Sequence, residues 1–512
     1  MVRHSLILIT GLLFSSALSA PSPPAPPPTR PDPEAAMQSF LKTYWDPERG
    51  YFLAWNPSVG FARPEGAGPQ NGRYADFWWE AQLWDLTMDA YQRDPNPQYR
   101  KLIDQVYDGF VKQYPDWTND FNDDLGWWAQ GATRAYALTR EGRYLERARV
   151  LFDDLWKYWT PSFGGGVLWR RSGDSQKNVA TNGPLAVVAA RLYSATGDKK
   201  YLERAGQLYD FVDQKLTDGG ARVFDNLQGA EPGELKRWDF TYNFGNFIFA
   251  SLELYGVMQD SKYLERAVKS ADWTLENLTN ADILLNEGTG DGGGFRGVFL
   301  RALKKLSETP ALEPQVRDRY RAFLNDNATA VWNNRSPLEG VTAPNWAAPT
   351  PKGLVESLAA SSALAALQLA PGPLEPGFPF GDGRYEAENS VREGPNSSVT
   401  AAGYSGRGYL NSFFKVGQLV NFDVNVPTAG RYTLNFRYSA GGGEAVRSLI
   451  LAEGTPARVT FAKTPDWQSW AELKTPLELP TGPSRVTLRF DAGTGKNWLN
   501  LDKLTLELET AP

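Results

Sequence analysis

GRYLERARVLFDDLWKYW (142–159), KKYLERAGQLYDFVDQKL (199–216) and SKYLERAVKSADWTLENL (261–278) are copies of one amphipathic helical pattern. NPQYRKLIDQVYDGFVKQY (96–114) is a weaker copy. Each copy follows a short turn and, before it, a run that is apolar or small nearly all round. Those runs are FWWEAQLWDLTMDAY (77–91), LGWWAQGATRAYALT (125–139), NGPLAVVAARLYSAT (182–196) and YNFGNFIFASLELYG (242–256). Helices apolar on every side belong inside, and amphipathic ones belong in an outer layer. FRGVFLRALKKL (295–306) and KGLVESLAASSALAALQLA (352–370) add two inner helices; 34–45 and 315–332 add two outer ones. Six hairpins of this kind close as an all-α (α/α)6 barrel. The competing arrangement is an open superhelix, which the irregular spacing of Tyr144, Tyr201 and Tyr263 disfavours.

The turns from inner to outer helix are short, and the returns are long. The long returns gather at the end where the inner helices begin, and long structured loops carry function. They are rich in Trp, Gly, Asn, Asp and Glu. From Tyr385 the pattern becomes alternating short strands with Gly and Pro turns, an all-β sandwich. The expected organisation is a signal peptide (1–20), a Pro-rich leader (21–33), the helical domain (34–370), a linker (371–384) and the sandwich (385–512). Arg3 and His4 followed by SLILITGLLF and SALSA carry the signal-peptide reading, which implies a secreted, periplasmic or extracellular protein without a membrane anchor.

Composition excludes much chemistry. The chain has no Cys, and its one His, His4, lies in the signal segment. The mature protein therefore has no Ser-His-Asp triad, no thiolate nucleophile and no His- or Cys-bound metal. Acid–base work falls to carboxylates, with no cofactor for catalysis. A net charge of −6 argues against a nucleic-acid partner. Eighteen Trp and 22 Tyr suit either a large core or stacking on sugar rings.

NDFNDDLGWW (119–128) supplies the carboxylates on the loop-rich face. Asn122 or Asp123 fits as the cap of a helix beginning at Leu125. A cap accounts for one Asp and leaves the adjacent pair, Asp123 and Asp124, unexplained. A retaining glycosidase needs two carboxyls roughly 5–5.5 Å apart. Helix-end potential keeps one ionised, while mutual repulsion and apolar walls hold the proton on the other. Asp120 has no clear assignment.

NDDLGWW, then GGGVLWRR, KNVATNGP, YNFGNFIFASLELYG and FRGVFLRAL in that order, resemble glycoside hydrolase family 76, exported α-1,6-mannanases with an (α/α)6 barrel. The resemblance implies Asp123 as nucleophile and Asp124 as acid/base. It implies a polysaccharide substrate, α-mannan, attacked by double displacement and endo action. Many relatives read Phe-Lys-Gly where this chain has Phe-Arg-Gly, and the family also includes transglycosylases. A noncatalytic glycan-binding protein is the alternative from another class.

Trp127, Trp128, Trp169, Asn178, Asn182 and Asn243 are the candidate substrate-binding residues around the pair. One of Trp127 and Trp128 is expected to pack. Each Asn also suits a helix cap. The glycines 164–166 are expected to bring Trp169 and Arg170 close to substrate. GTGDGGG (288–294) lacks the Lys-Ser/Thr and the preceding strand of a phosphate loop, so Asp291 is placed on the rim. In the sandwich, YEAE, VNVPTAGRYTLNFRYS and NLDKLTL resemble carbohydrate-binding modules of families 6 and 35, which are jelly rolls. That resemblance implies a structural calcium on Glu386, Glu388 and Asp502, against a solvated strand face. It also implies a sugar site at Tyr409, Trp467 and Asn500, with Tyr404 and Trp498 as rivals and Trp470 in the core. The chain is read as a monomer, its module tethered to the enzyme by a short linker.

Overall fold

The computed structural model describes residues 28–57, 61–173, 175–452, 454–491 and 498–509. The signal-peptide reading and most of the Pro-rich leader fall outside these. Among the described residues no helix is long and apolar enough to cross a membrane.

The N-terminal part is helical: α1 (Pro33–Tyr44), the one-turn α2 (Pro69–Gly72), α3 (Phe77–Arg93), α4 (Pro97–Gln113), α5 (Asn122–Thr139), α6 (Gly142–Leu155), α7 (Val179–Thr196), α8 (Lys199–Lys215), α9 (Thr241–Met258), α10 (Ser261–Asn277), α11 (Gly292–Ser307), α12 (Pro314–Asn333) and α13 (Ser357–Leu369). Neighbour packing among the inner helices runs α3–α5–α7–α9–α11–α13 and back to α3. The outer helices α4, α6, α8, α10 and α12 each pack on the inner helix before them, and α1 packs on α13.

Sequence explains the layering. On α6 the stripe Tyr144, Ala148, Leu151, Phe152 and Leu155 is buried, whereas every residue of α13 is buried. Small residues let the inner helices meet: a Cβ on Gly245 of α9 would lie 2.8 Å from the Phe299 backbone of α11. The turns after α5, α7 and α9 are short because Arg140, Gly197 and Gln259 take left-handed conformations. Their amides cap back onto the carbonyls of Tyr136, Tyr193 and Tyr255.

Short ladders decorate the domain: β1 (Trp45–Asp46) with β2 (Tyr51–Phe52), β3 (Lys177–Asn178) with β4 (Asn226–Gln228) and β5 (Glu234–Lys236), and β6 (Thr279–Asn280) with β7 (Ile283–Leu284).

The C-terminal part has two antiparallel sheets. One orders β10 (Asn396–Ser398), β11 (Tyr409–Phe413), β18 (Leu499–Leu508), β13 (Gly430–Ser439) and β16 (Ala471–Leu479), with β8 (Arg384–Glu386) also on β18. The other orders β15 (Ala457–Phe461), β14 (Ala445–Leu451), β17 (Gly482–Arg489), β12 (Leu419–Val426) and β9 (Val391–Glu393). Alternate residues such as Phe422 and Val424 of β12 and Leu434 and Phe436 of β13 fill one core.

The segment expected as a tether is packed instead. Leu374 joins the helical core, Phe380 packs on the sandwich core, and Asn425 Nδ2 donates to Pro379 O (2.8 Å). The β6–β7 turn reaches the other way. Ala281 belongs to the sandwich core, and its amide donates to Arg384 O (2.6 Å).

Candidate active site

The inner helices begin at one end of the helical domain, beneath the long loops. Helix α5 starts three residues earlier than expected, at Asn122, and its N-cap Phe121 makes no side-chain cap bond. Asp123 and Asp124 therefore occupy the first turn. Asn122 is no cap. Its amide donates to Trp169 O (2.8 Å), its Nδ2 donates to Leu168 O (2.9 Å), and its Oδ1 accepts from Arg171 Nε (3.0 Å).

The two aspartates have different surroundings. The Asp123 and Asp124 amides and the Trp169 side chain favour the charged form of Asp123, while its Oδ1 is buried without a hydrogen bond. Burial outweighs these donors and pushes its carboxyl up to about 7. Asp124 Oδ2 accepts from Asn119 Nδ2 (2.7 Å). Burial, then the charges of Asp123, Asp76 and Asp291, hold the Asp124 carboxyl well above the usual carboxylate range. With fewer donors and more like charges, Asp124 is the group that keeps the proton. Both residues stay partly open to solvent.

Asp120 acquires a definite place. Its Oδ2 pairs with Arg170 (2.8 Å), and its carboxylate accepts from the Ser172 amide (2.9 Å) and hydroxyl (2.6 Å). It clamps the 169–172 strap that carries Trp169 to Asp123. The three glycines before that strap serve another purpose. They wrap buried Lys177, whose Nζ donates to the carbonyls of Thr160, Ser162 and Gly165 at 2.9, 2.7 and 2.6 Å. Burial brings the Lys177 amine down to about 8.

Asp291, read from the sequence as a rim residue, is joined at the rim by residues that sequence reasoning missed. Asp291 accepts from both Trp78 Nε1 and Trp79 Nε1 (2.9 Å each), and Trp78 lies 6.0 Å from Trp127, ring to ring. Asp76 caps α3. Glu287 accepts from the Thr241 amide (2.8 Å), and burial pushes it up to about 7. Asp225 takes bonds from Tyr242 Oη and Asn243 Nδ2. One signal was available: FWW opens α3 as GWW opens α5.

Several expected substrate contacts prove structural. Trp128 is fully buried, stacked on Phe110 at 3.7 Å, and its indole donates to Phe77 O (3.0 Å). Asn178 caps α7 by accepting from the Thr181 amide (3.0 Å). Asn182 is buried, accepting from the Val167 amide (2.7 Å) and donating to Val167 O and Asn178 O. Asn243 is buried against Asp225. Trp127 is itself buried, 6.0 Å from Trp78, and half-buried Trp169 lies 5.1 Å from Phe121.

A cavity of about 550 Å³ opens where the inner helices end, away from the aspartates. Its wall includes ion pairs, Arg134–Asp85 (3.0 Å) and Arg191–Glu253 (2.8 Å), which neutralise these carboxylates.

In the sandwich, Tyr409 is buried, and its hydroxyl is held by Ser398, Thr400 and the Ala401 amide, so it offers no platform. Asn500 faces Ser439, whose hydroxyl donates to Asp466 O beside half-buried Trp467. Trp470 is half-buried rather than core; its indole donates to Ala402 O (2.8 Å). Trp498 is exposed and stacked on Phe414 at 4.1 Å.

Glu386 Oε1 and Glu388 Oε2 are buried without a hydrogen bond, although Glu386 Oε1 lies 3.6 Å from Arg384 Nε. Beside them Gly406 (φ +60°) has room for no Cβ, which would meet Glu388 Oε1 at 2.6 Å. Asp502 departs from the expected calcium set. Its Oδ2 is paired with Arg437, and its Oδ1 accepts from the Ser405 amide (2.9 Å). Among the described residues no group of three acidic side chains converges as a metal cage.

An all-helical domain with a paired-carboxylate site, joined to a β-sheet module, defines a modular carbohydrate-active protein. The profile of glycosyl hydrolase family 76 matches residues 34–374, and the chain belongs to that family. Residues 383–509 match the family 35 carbohydrate-binding module. The chain is similar to a solved inactive variant of the α-1,6-mannanase GH76A of Salegentibacter sp. HEL1_6, in complex with α-1,6-mannotriose. That variant has two consecutive aspartates replaced by asparagine. The match is 28% identical, covers 66% of this chain and 97% of that one, and has a TM-score of 0.60. The Lin0763 protein of Listeria innocua is 30% identical over 66% of this chain and 95% of its own, with a TM-score of 0.59. Mannan endo-1,6-alpha-mannosidase DCW1 of Candida glabrata is 25% identical, over 52% of this chain and 65% of its own length. An isomaltosyltransferase of Sporosarcina globispora is 33% identical over 24% of this chain, which spans 11% of that enzyme.

Proposed function

We propose that the protein is an exported, monomeric endo-α-1,6-mannanase that retains anomeric configuration, with an (α/α)6 barrel as catalytic domain and a jelly roll as glycan-binding module. The observation that carries this reading is the unpartnered Oδ1 of Asp123, buried beside an Asp124 that holds its proton. The chain contains two adjacent aspartate pairs. The other, Asp153 and Asp154, is spent in ion pairs with Arg204 (3.2 Å) and Arg171 (2.8 Å). Asp123–Asp124 is therefore the counterpart of the aspartates replaced in the Salegentibacter variant.

In the first step Asp124 gives its proton to the glycosidic oxygen, and that C–O bond breaks as the Asp123 carboxylate bonds to the anomeric carbon. The Trp169 indole and the helix-start amides steady the Asp123 carboxylate. In the second step Asp124 takes a proton from water. The water oxygen attacks the anomeric carbon, and the bond to Asp123 breaks. Linear α-1,6-mannan incubated with the protein is expected to yield new reducing ends and short oligosaccharides whose first-formed anomer is α by NMR. β product, or no reducing ends, sinks the proposal.

Transglycosylation is the second reading, since the family that the motifs resemble also includes transglycosylases. It predicts products longer than the starting oligosaccharide.

Calcium is proposed at Glu386 and Glu388, whose adjacent buried carboxyl oxygens, Oε2 of Glu388 unpartnered, suit a hard cation. Burial, with the charge of Asp502 beside Glu386 and that of Glu386 beside Glu388, pushes these carboxyls up to about 7 and about 8, and a bound cation would reverse that. Chelation is expected to lower the sandwich melting temperature, with calcium restoring it. Unchanged melting in both wild type and Glu388→Gln removes the site.

A further inference from the structure

Trp238 stands out on the surface of the helical domain. A Trp ring that is 52% exposed leaves a large apolar face in water. Its neighbours in sequence are fixed. Arg237 is exposed, with its guanidinium 5.0 Å from the Phe224 ring. Asp239 is nearly buried and bridged at both oxygens by Arg222 (2.7 Å each). The ring is thus presented outward from a pinned backbone, on the loop that leads into α9.

A line of aromatic rings joins this exposed Trp to the aspartates. Trp238 lies 6.1 Å from Phe240, Phe240 lies 5.2 Å from Phe295, Phe295 lies 6.3 Å from Trp78, and Trp78 lies 6.0 Å from Trp127. Trp127 is one helical turn beyond Asp123, on the same side of α5. Aromatic faces in series are what a row of sugar rings stacks on.

The same loop is touched by the C-terminal domain. Arg407 Nη1 lies 4.0 Å from Asp239 Oδ2. Arg407 Nε donates to Asn389 Oδ1 (3.0 Å), and Asn389 Nδ2 donates back to Asn277 O and Thr279 O of the helical domain (3.2 Å each). The module thus adds a second guanidinium to the carboxylate that fixes the residue after Trp238.

We propose that Trp238 is the platform of a distal subsite for the mannan backbone, and that Arg407 of the C-terminal domain acts as its positioning residue through Asp239. This rests on the mannanase reading and adds a chain-length preference to it. The module then contributes to catalysis by aligning a subsite as well as by holding the polymer.

The test is kinetics on linear α-1,6-mannan oligosaccharides of increasing length, with wild type, Trp238→Ala, Arg407→Ala and Arg407→Lys. One ring contact is worth about 0.5–1.5 kcal/mol, so Trp238→Ala is expected to raise KM about two- to tenfold on long chains. Its kcat, and its kcat/KM on the shortest substrate, stay at wild-type values. Arg407→Ala shows the same length dependence at smaller amplitude, Arg407→Lys restores part of it, and neither changes the melting temperature. Equal kinetics at every length, or a loss independent of length, overturns the inference while leaving the mannanase reading intact. A wild type inactive on every chain overturns both.

Discussion

Asp124→Asn is expected to lose about 10³-fold or more in kcat on mannan, and Asp123→Asn at least as much, with the fold of both intact. The losses are distinguishable. Asp124 is needed to protonate a poor leaving group, so an aryl mannoside with an acidic phenol bypasses it in the first step. Asp124→Asn should keep a burst of phenol release on that substrate, followed by slow turnover. Asp123→Asn should show no burst, because nothing else is placed to bond the anomeric carbon. A burst from Asp123→Asn with none from Asp124→Asn exchanges the two roles.

Stability gives an independent check with a definite sign. Both carboxyls are raised by burial, so the folded protein holds protons that the unfolded chain releases near pH 4. Their contribution is fully present below that pH. It is lost as pH climbs toward the folded values, about 7 for Asp123 and well above the usual carboxylate range for Asp124. Asparagine cannot ionise. The Asn variants are therefore expected to melt at or above wild type at pH 8 and together with it at pH 4. In the active enzyme the same ordering places the acidic limb of kcat/KM above the ordinary carboxylate range, set by Asp123. The basic limb, set by Asp124, lies further up.

How much of this was legible in the chain depends on the kind of signal. The YLERA copies announced the outer helices because amphipathic burial repeats at helical spacing, and Tyr144, Tyr201 and Tyr263 are each buried as that spacing requires. The aspartate pair was legible through elimination of His and Cys. The start of α5 was not: the Asn122 amide donates to Trp169 O and its Nδ2 to Leu168 O, 46 residues further along the chain, and no local pattern encodes that. Asp225 and Glu287 were missed for the same reason. They lie in loops without periodicity, and their value comes from Tyr242 and Thr241 on α9. The linker misled because Pro and Gly signal a break in regular structure, and a break still packs when Leu374 and Phe380 find cores on either side.

Adjacent tryptophans pose the same problem in its sharpest form, since Trp127 and Trp128 are identical to a reader of sequence. Successive residues on a helix point about 100° apart, so one faces the rim and the other faces α3 and α4. Trp128 is the inward one, stacked on Phe110 at 3.7 Å and on Trp84 at 5.1 Å, and edge-on to Trp117 at 5.6 Å. Removing it opens a cavity at the centre of that aromatic cluster, and Trp128→Ala is expected to cost about 3–5 kcal/mol of stability. Urea unfolding of the helical domain should shift to lower concentration, while the kcat/KM of the molecules that remain folded stays within a few-fold of wild type. A side chain that bound sugar would give the opposite pattern: unchanged urea unfolding and a raised KM. That result would return Trp128 to the substrate site and place the packing role on Trp127.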